Sequence, residues 1–422
     1  MRKEKTVYVF ADWLGDRPVL VGCLHIDVNR NKEIFSFEYD SEWIKKLDKS
    51  NKPLLSLDPD LQLTVGRQYL TTDKPIFGCF SDSCPDRWGR LLMKRREAIL
   101  ADQDQRKPRT LHESDFLLGV YDEARMGGLR FSLSKDGIFL ASDEALATPP
   151  WVSLRDLEEA CRNFERSKDP FEQKWLSQLL APGSSLGGAR PKATVKDTNG
   201  SLWIAKFPSK DDDWDTGAWE MVTHELAKTC GLEVPDAKLQ VFSKYGSTFL
   251  CKRFDRENGK RIHFSSAMTL LGEADNHKNS DTGYLDIVDF ITSNGAQPKE
   301  DLKELWKRIV FSMAVSNTDD HLRNHGFLLT ANGWKLSPMF DVNPNIYGDN
   351  LSLTVDGVDS AINYDLALES AVYFGLEKEE ARKLLGIIRE TVESNWETYA
   401  TRQGISHSEI TRMSPAFDPS YK

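Results

Sequence analysis

The stretch 315-VSNTDDHLRNHGFLL-329 decides how this chain is read. Upstream, the apolar helical run 305-LWKRIVFSMAV-315 stops at Ser316-Asn317-Thr318-Asp319. Downstream, Phe327-Leu328-Leu329 and Trp334-Lys335-Leu336 read as short strands. Asn332-Gly333 lies between them, and Asn-Gly between two apolar runs is the strongest short hairpin signal. A further carboxylate follows in Met339-Phe340-Asp341-Val342. The layout is helix, Asp-rich loop, hairpin, Asp. Alone, Asn-Thr-Asp-Asp would be a helix stop and a solvated turn, because Asp and Asn are common turn residues. The hairpin and Asp341 behind it shift the balance toward chemistry.

Asp319 precedes Asn324 by five residues, the spacing of Asp and Asn in the kinase catalytic loop. In that arrangement the Asp accepts the proton of the attacking hydroxyl, while the Asn and a later Asp hold Mg²⁺ against nucleotide phosphates. Phosphoryl transfer asks little covalent chemistry of the protein, so a few well-placed oxygens suffice.

The whole chain is compatible with this. Its 422 residues can bury at least two cores, so two or three domains are expected. With 40% hydrophobic and 28% charged residues the composition is ordinary globular. A net charge of −10 and a pI near 5.5 argue against direct nucleic-acid binding, leaving DNA reachable only through a basic partner. The six cysteines are scattered, and the Cys79/Cys84 pair has no second Cys or His pair nearby, so reduced thiols are expected and zinc is not. The N-terminal apolar run is too short for a signal peptide or membrane span, which predicts a soluble, cytoplasmic protein with no membrane partner.

In chain order, residues 6–40 read as strands. A helix follows within 81–104, with Ser83 as N-cap and Pro85 early, and a second over 112–124. Thr148-Pro149-Pro150 marks a linker, so residues 1–150 are expected to form an N-terminal α+β domain for packing and partner contact. Residues 151–256 form the next expected domain. It contains 183-GSSLGGARPKATV-195, a glycine loop with Arg190 and Lys192 beside it. This is no Walker A loop, since Ala189-Arg190 stands where Lys-Ser/Thr is required. An Asn199-Gly200 turn leads to the strand 202-LWIAKFP-208 with its lone Lys206. A lysine in a buried strand needs a negative partner, although on an edge strand it would simply face solvent. The helix 217–232 offers Glu220 or Glu225 as that partner. After strands at 239–241 and 248–254, Asp255-Arg256-Glu257-Asn258-Gly259 breaks the pattern as a hinge would. Residues 257–422 then read as mainly helical, at 263–272, 284–295, 299–315, 361–375 and 378–404. The expected fold is α+β: a two-lobed protein-kinase-like fold, small mixed β lobe and large helical lobe, with an additional N-terminal domain.

At these residues the chain resembles the HipA family of bacterial serine/threonine kinases, the toxins of toxin–antitoxin pairs. The matching pieces come in order: Phe80-Ser81-Asp82 with Pro85-Asp86-Arg87-Trp88-Gly89, Ser184 to Lys192, Ile204-Ala205-Lys206-Phe207-Pro208, Lys252-Arg253-Phe254-Asp255-Arg256, Asn317 to Asn324, and Pro338-Met339-Phe340-Asp341-Val342. The resemblance implies Asp319 as catalytic base and Asn324 and Asp341 as Mg²⁺ ligands. It implies Lys206 at the α/β-phosphates of ATP, Lys192 near the phosphates, and Phe254 by the adenine. His321 would support the loop or touch the nucleotide. Ser185, with Ser184 as second candidate, would be a regulatory autophosphorylation site. Where some members have Glu before Arg-Phe-Asp-Arg, this chain has Lys252. The implied partners are a small helix-turn-helix antitoxin of HipB type, DNA only through that antitoxin, and a protein substrate, for which the family precedent is an aminoacyl-tRNA synthetase.

Two other readings stand beside this one. The chain could be a non-catalytic partner or corepressor of a DNA-binding antitoxin. It could also phosphorylate small molecules or lipids, because the parts look alike across substrates. The set Lys206, Asp319, Asn324 and Asp341 favours an enzyme over the non-catalytic partner, since a scaffold has no need of all four.

Overall fold

In the computed structural model, the structure describes residues 4–30, 32–49, 56–136, 138–142, 148–166, 179, 188–274 and 282–418. The chain divides into two compact units, Met1–Lys210 with Arg253–Ala274, and Asp211–Lys252 with Asp275–Lys422.

In the first unit, β-branched and aromatic runs build a five-stranded antiparallel sheet. Its order is Arg67–Tyr69, Lys32–Tyr39, Val19–Asn29, Glu4–Ala11, Leu129–Ser132. One face carries Val7, Val9, Leu24, Phe35 and Phe37, packed with Phe77, Phe80 and Phe131 into one core. The helix Arg87–Gln103 begins not at Ser83 but at Asp86, whose carboxylate accepts from Gly89 N at 2.8 Å. The expected 112–124 helix is only Glu113–Gly119. The turns after it supply backbone carbonyls to buried arginines. A further helix, Leu154–Arg166, precedes a two-stranded hairpin, Lys192–Lys196 with Leu202–Lys206, turned over Asp197 to Gly200.

Residues 253–274 complete this unit. The pattern break at 255–259 is a small hairpin: Arg256–Glu257 pairs with Lys260–Arg261, and Asn258 and Gly259 both take positive φ (49° and 77°). Two consecutive positive φ values are what a two-residue type I′ turn requires; at 332–333, by contrast, Gly333 takes positive φ (139°) and already pairs with Thr330, while Asn332 does not take positive φ. Where a helix was expected over 263–272 there is a strand, Phe264–Ser266, and one turn of helix, Ala267–Leu270. Asp82 makes the difference. Its buried carboxylate accepts from Ser266 N (2.8 Å), Ser266 Oγ (2.8 Å) and Ser265 Oγ (3.1 Å), holding these residues extended.

The same segment carries a buried charge cluster. Asp255, fully buried, accepts from Arg253 Nε (2.8 Å) and Nη2 (2.6 Å), Arg256 Nη1 (2.6 Å) and Gly127 N (2.8 Å). The guanidinium of Arg253 also donates to Ala124 O and Arg125 O, and that of Arg256 to Glu123 O and Arg125 O. Burial alone would raise the Asp255 carboxyl, but the two arginines outweigh it and hold it at about 2.

The second unit is mainly helical. Its helix Thr216–Thr229 is capped by Asp215, which also accepts from Ser247 N and Oγ of the hairpin Ala237–Ser243/Gly246–Lys252. The helices Tyr284–Asn294, Pro298–Ala314, Tyr364–Ser370 and the long Lys378–Arg402 surround a core with Trp219, Trp306, Ile309 and Phe311. The expected 361–375 helix is shorter, passing into a 3₁₀ turn at Ala371–Phe374. Near the end, Phe417 stacks on Trp396 with ring centroids 4.6 Å apart.

Candidate active site

The helix Pro298–Ala314 ends where Ser316 enters the left-handed region at φ 50°. A non-glycine residue there is uncommon, and the surroundings enforce it: Asn317 N donates to Ser312 O, and Ser316 Oγ to Ala416 O. The chain is thereby thrown off the helix axis and into the loop. Asp319 is exposed, whereas its neighbour Asp320 is buried. A 3₁₀ turn, Leu322–Asn324, brings Asn324 back so that its Nδ2 donates to Asp319 O at 2.8 Å. With the amide nitrogen committed there, Oδ1 is the end of Asn324 suited to a cation. Gly326–Thr330 and Gly333–Leu336 follow as the expected hairpin.

Sequence reasoning missed what pins this loop. Asp320 accepts from Tyr284 Oη at 2.5 Å and Ser312 Oγ at 3.4 Å, and it lies 3.0 Å from His325 Nε2. Burial pushes the Asp320 carboxyl up, but His325 and then Tyr284 more than compensate, and it stays below the usual carboxylate range. The doubled Asp was the available signal: one faces solvent, and the other fastens the loop from beneath.

Asp341 is half-buried and also left-handed, at φ 59°. Its segment is tied on both sides: Met339 N donates to Glu233 O, and Thr223 Oγ1 to Val342 O. The chain beyond it is laced to the catalytic-type loop. Asn343 N reaches Asn317 Oδ1 (3.4 Å), Asn345 N reaches Ser316 O (3.1 Å), and Asn345 Nδ2 reaches Thr318 Oγ1 (2.6 Å). Two carboxylates and one carboxamide are hard oxygen donors, the type Mg²⁺ takes, and few of them are needed because Mg²⁺ keeps several waters. Among the described residues no group of three or more His, Cys, Asp or Glu side chains is arranged to hold a metal.

His321 shapes the loop through its backbone, donating to Asp319 O and accepting from Asn324 N. Of the two candidate glutamates, Glu225 accepts from Arg402 Nη2 and Gln403 Nε2, whereas Glu220 is buried. Lys252 is paired with Asp236 at 3.8 Å.

In the first unit, Lys192 and Lys206 stand directly opposite each other across the hairpin. Opposite residues of an antiparallel pair point to the same face, so the two candidate phosphate lysines are neighbours. Lys206 is half-buried, while Lys192 is buried with its Nζ 3.0 Å from Asp86 Oδ2. Phe254 packs at 6.1 Å, between centroids, from Phe264. Ser184 and Ser185 lie outside the described residues. No helix among the described residues is long and apolar enough to cross a membrane.

Comparison with known proteins gives these features a context. A family model described as the HipA-like C-terminal domain matches residues 184–396, half of the chain. The serine/threonine-protein kinase toxin HipA of Shewanella oneidensis is 27% identical over 308 residues, 64% of this chain and 66% of that protein. Three further relatives, two from Sinorhizobium fredii and one from Haemophilus influenzae, are provisionally named kinases and are 26–27% identical. The chain spans 36–66% of the lengths of these curated relatives. A solved complex of Shewanella oneidensis HipA, HipB and operator DNA contains a chain of the same fold, with TM-score 0.64 and 16% identity over 97% of this chain and 95% of that one.

Proposed function

We propose, from the premise that the chain belongs to the HipA-like C-terminal domain family, that it is a Mg-ATP-dependent serine/threonine protein kinase acting as the toxin of a toxin–antitoxin pair. The observation that supports this most is the loop at 316–325. It exposes Asp319, buries Asp320 as an anchor, and hydrogen-bonds Asn324 to the backbone of Asp319.

In this reading Asp319 accepts the proton of the acceptor hydroxyl, and the buried Asp320 contacts keep it from drifting. Asn324, through Oδ1, and Asp341 would hold Mg²⁺. Bound there, the ion would neutralise charge on the phosphate oxygens. Lys206 and Lys192 would bind the phosphates and Phe254 would lie by the adenine, with His321 keeping the loop in shape. Residues 1–150 would serve partner contact, with a HipB-like antitoxin as the partner and DNA reached only through it. The acceptor would be a cytoplasmic protein hydroxyl, with the family's aminoacyl-tRNA synthetase precedent as a first substrate to assay. Autophosphorylation at Ser185 or Ser184 would add about −1.5 to −2 charge beside the phosphate site and lower activity.

Labelled ATP with the wild type and Asp319→Asn tests the reading. Removing a general base lowers phosphoryl transfer at least ~10²-fold. Wild-type labelling no greater than the mutant's rejects it, and absence of phosphate at 184–185 after incubation with Mg-ATP rejects the regulatory part.

A further inference from the structure

The Pro85-Asp86-Arg87-Trp88-Gly89 stretch has no place in the chemistry above, yet its carboxylate touches a residue that does. Oδ1 of Asp86 caps the helix Arg87–Gln103 through Gly89 N at 2.8 Å. Oδ2 of the same group lies 3.0 Å from Lys192 Nζ, and both side chains are only 3% exposed. Lys192 opens its strand directly opposite Lys206. Four residues upstream, the backbone closes over the ammonium: a Cβ on Gly188 would come within 3.2 Å of Lys192 Nζ, and Gly188 takes φ +99°. A buried ion pair of this kind is hard to open, because separation leaves an uncompensated charge in a dry site. The ammonium is therefore held by a helix start of the N-terminal region.

We propose that Asp86 is a positioning residue for phosphate binding: it fixes Lys192 Nζ, and with it the Gly188–Lys192 approach to the strand pair that carries Lys206. This rests on the reading of Lys192 and Lys206 as phosphate-binding residues. It gives the N-terminal region a task in nucleotide affinity besides partner contact. The opposite arrangement, in which phosphate takes Lys192 away from Asp86, makes a contrary prediction: loss of the carboxylate would then tighten binding.

Asp86→Asn isolates the charge, because asparagine is as good an N-cap as aspartate and keeps an oxygen for Gly89 N. Asp86→Ser, with a capping hydroxyl and no carboxylate, is the second variant in case the first fails to fold. Four quantities are measured on the full chain: amide hydrogen exchange across residues 188–196 without nucleotide, Mg-ATP affinity by calorimetry, and the KM and kcat of phosphoryl transfer. Exchange should quicken at least ~10-fold. The Mg-ATP dissociation constant and KM should rise about ten-fold while kcat changes less, since the lost interaction acts on binding. Adding Lys192→Met to Asp86→Asn should return exchange toward the wild-type rate, as expected for a coupled pair. Unchanged exchange, or Mg-ATP affinity equal to or tighter than wild type, overturns the role of Asp86 and leaves the kinase reading standing. A wild type that binds no Mg-ATP overturns the kinase reading, and the nucleotide role of Asp86 falls with it.

Discussion

Tyr284→Phe removes a single oxygen from beneath the candidate catalytic loop, and its effect can be worked out from the contacts. The ring is fully buried and stands edge-on to His325 at 5.6 Å, a packing that phenylalanine keeps. What disappears is the 2.5 Å hydrogen bond to Asp320. Hydrogen bonds to charged groups contribute about 1.5–3 kcal/mol. Asp320 retains His325 at 3.0 Å and Ser312 at 3.4 Å, so a cost of about 2 kcal/mol is expected. For a unit of this size that lowers the melting temperature by roughly 4–8 °C. Calorimetry reads the shift, and amide exchange at Asn317–His325 should quicken in the same variant. Because Asp319 adjoins Asp320, phosphoryl transfer should fall by roughly ten-fold, short of the loss for Asp319→Asn. A melting shift below about 1 °C with unchanged exchange in the loop would refute the claim that Asp320 anchors it.

Other expectations concern stability. The Asp255 carboxyl is held at about 2 in the folded chain against 3.8 ordinarily, which amounts to on the order of 2 kcal/mol. The sign is that of a depressed acid: the contribution is complete above about pH 4 and is lost as pH falls toward 2. Denaturant titrations across that window should show a steeper loss for the wild type than for Asp255→Asn. Gly217→Ala should destabilise by about 1–3 kcal/mol or more, because its Cβ would meet Ser247 O at 2.1 Å. Gly386→Ala, in the long helix with nothing within 4 Å, should instead stabilise by about 0.4–1 kcal/mol, and urea midpoints separate the two.

The sequence was legible where structure is local. Asn332-Gly333 announced its hairpin, and the polar run after Ala314 its helix stop, because each acts on backbone within a few residues. It was less legible where distant groups decide. Phe264–Ser266 has a helix-compatible pattern, but Asp82 from far upstream holds it extended. Lys192 looked like a loop cation beside a glycine turn and proves to be buried against Asp86, more than a hundred residues earlier. Asp320 was indistinguishable in sequence from its exposed neighbour, since its contacts with Tyr284, Ser312 and His325 are what make it an anchor. The Asn258-Gly259 turn carried the same local signal as Asn332-Gly333, but its two-residue strands lack the apolar runs that make such a signal stand out.

The cluster around Asp255 bears on how this chain can be cut. The match to the HipA-like C-terminal domain model begins at residue 184, which invites expressing the chain from there onward. Such a fragment would contain Arg253, Asp255 and Arg256 but none of the carbonyls of Glu123, Ala124 and Arg125 that receive their guanidinium protons. The two arginines would keep Asp255 but lose those carbonyl acceptors. The start of that domain match is thus not a place where the polypeptide can be divided.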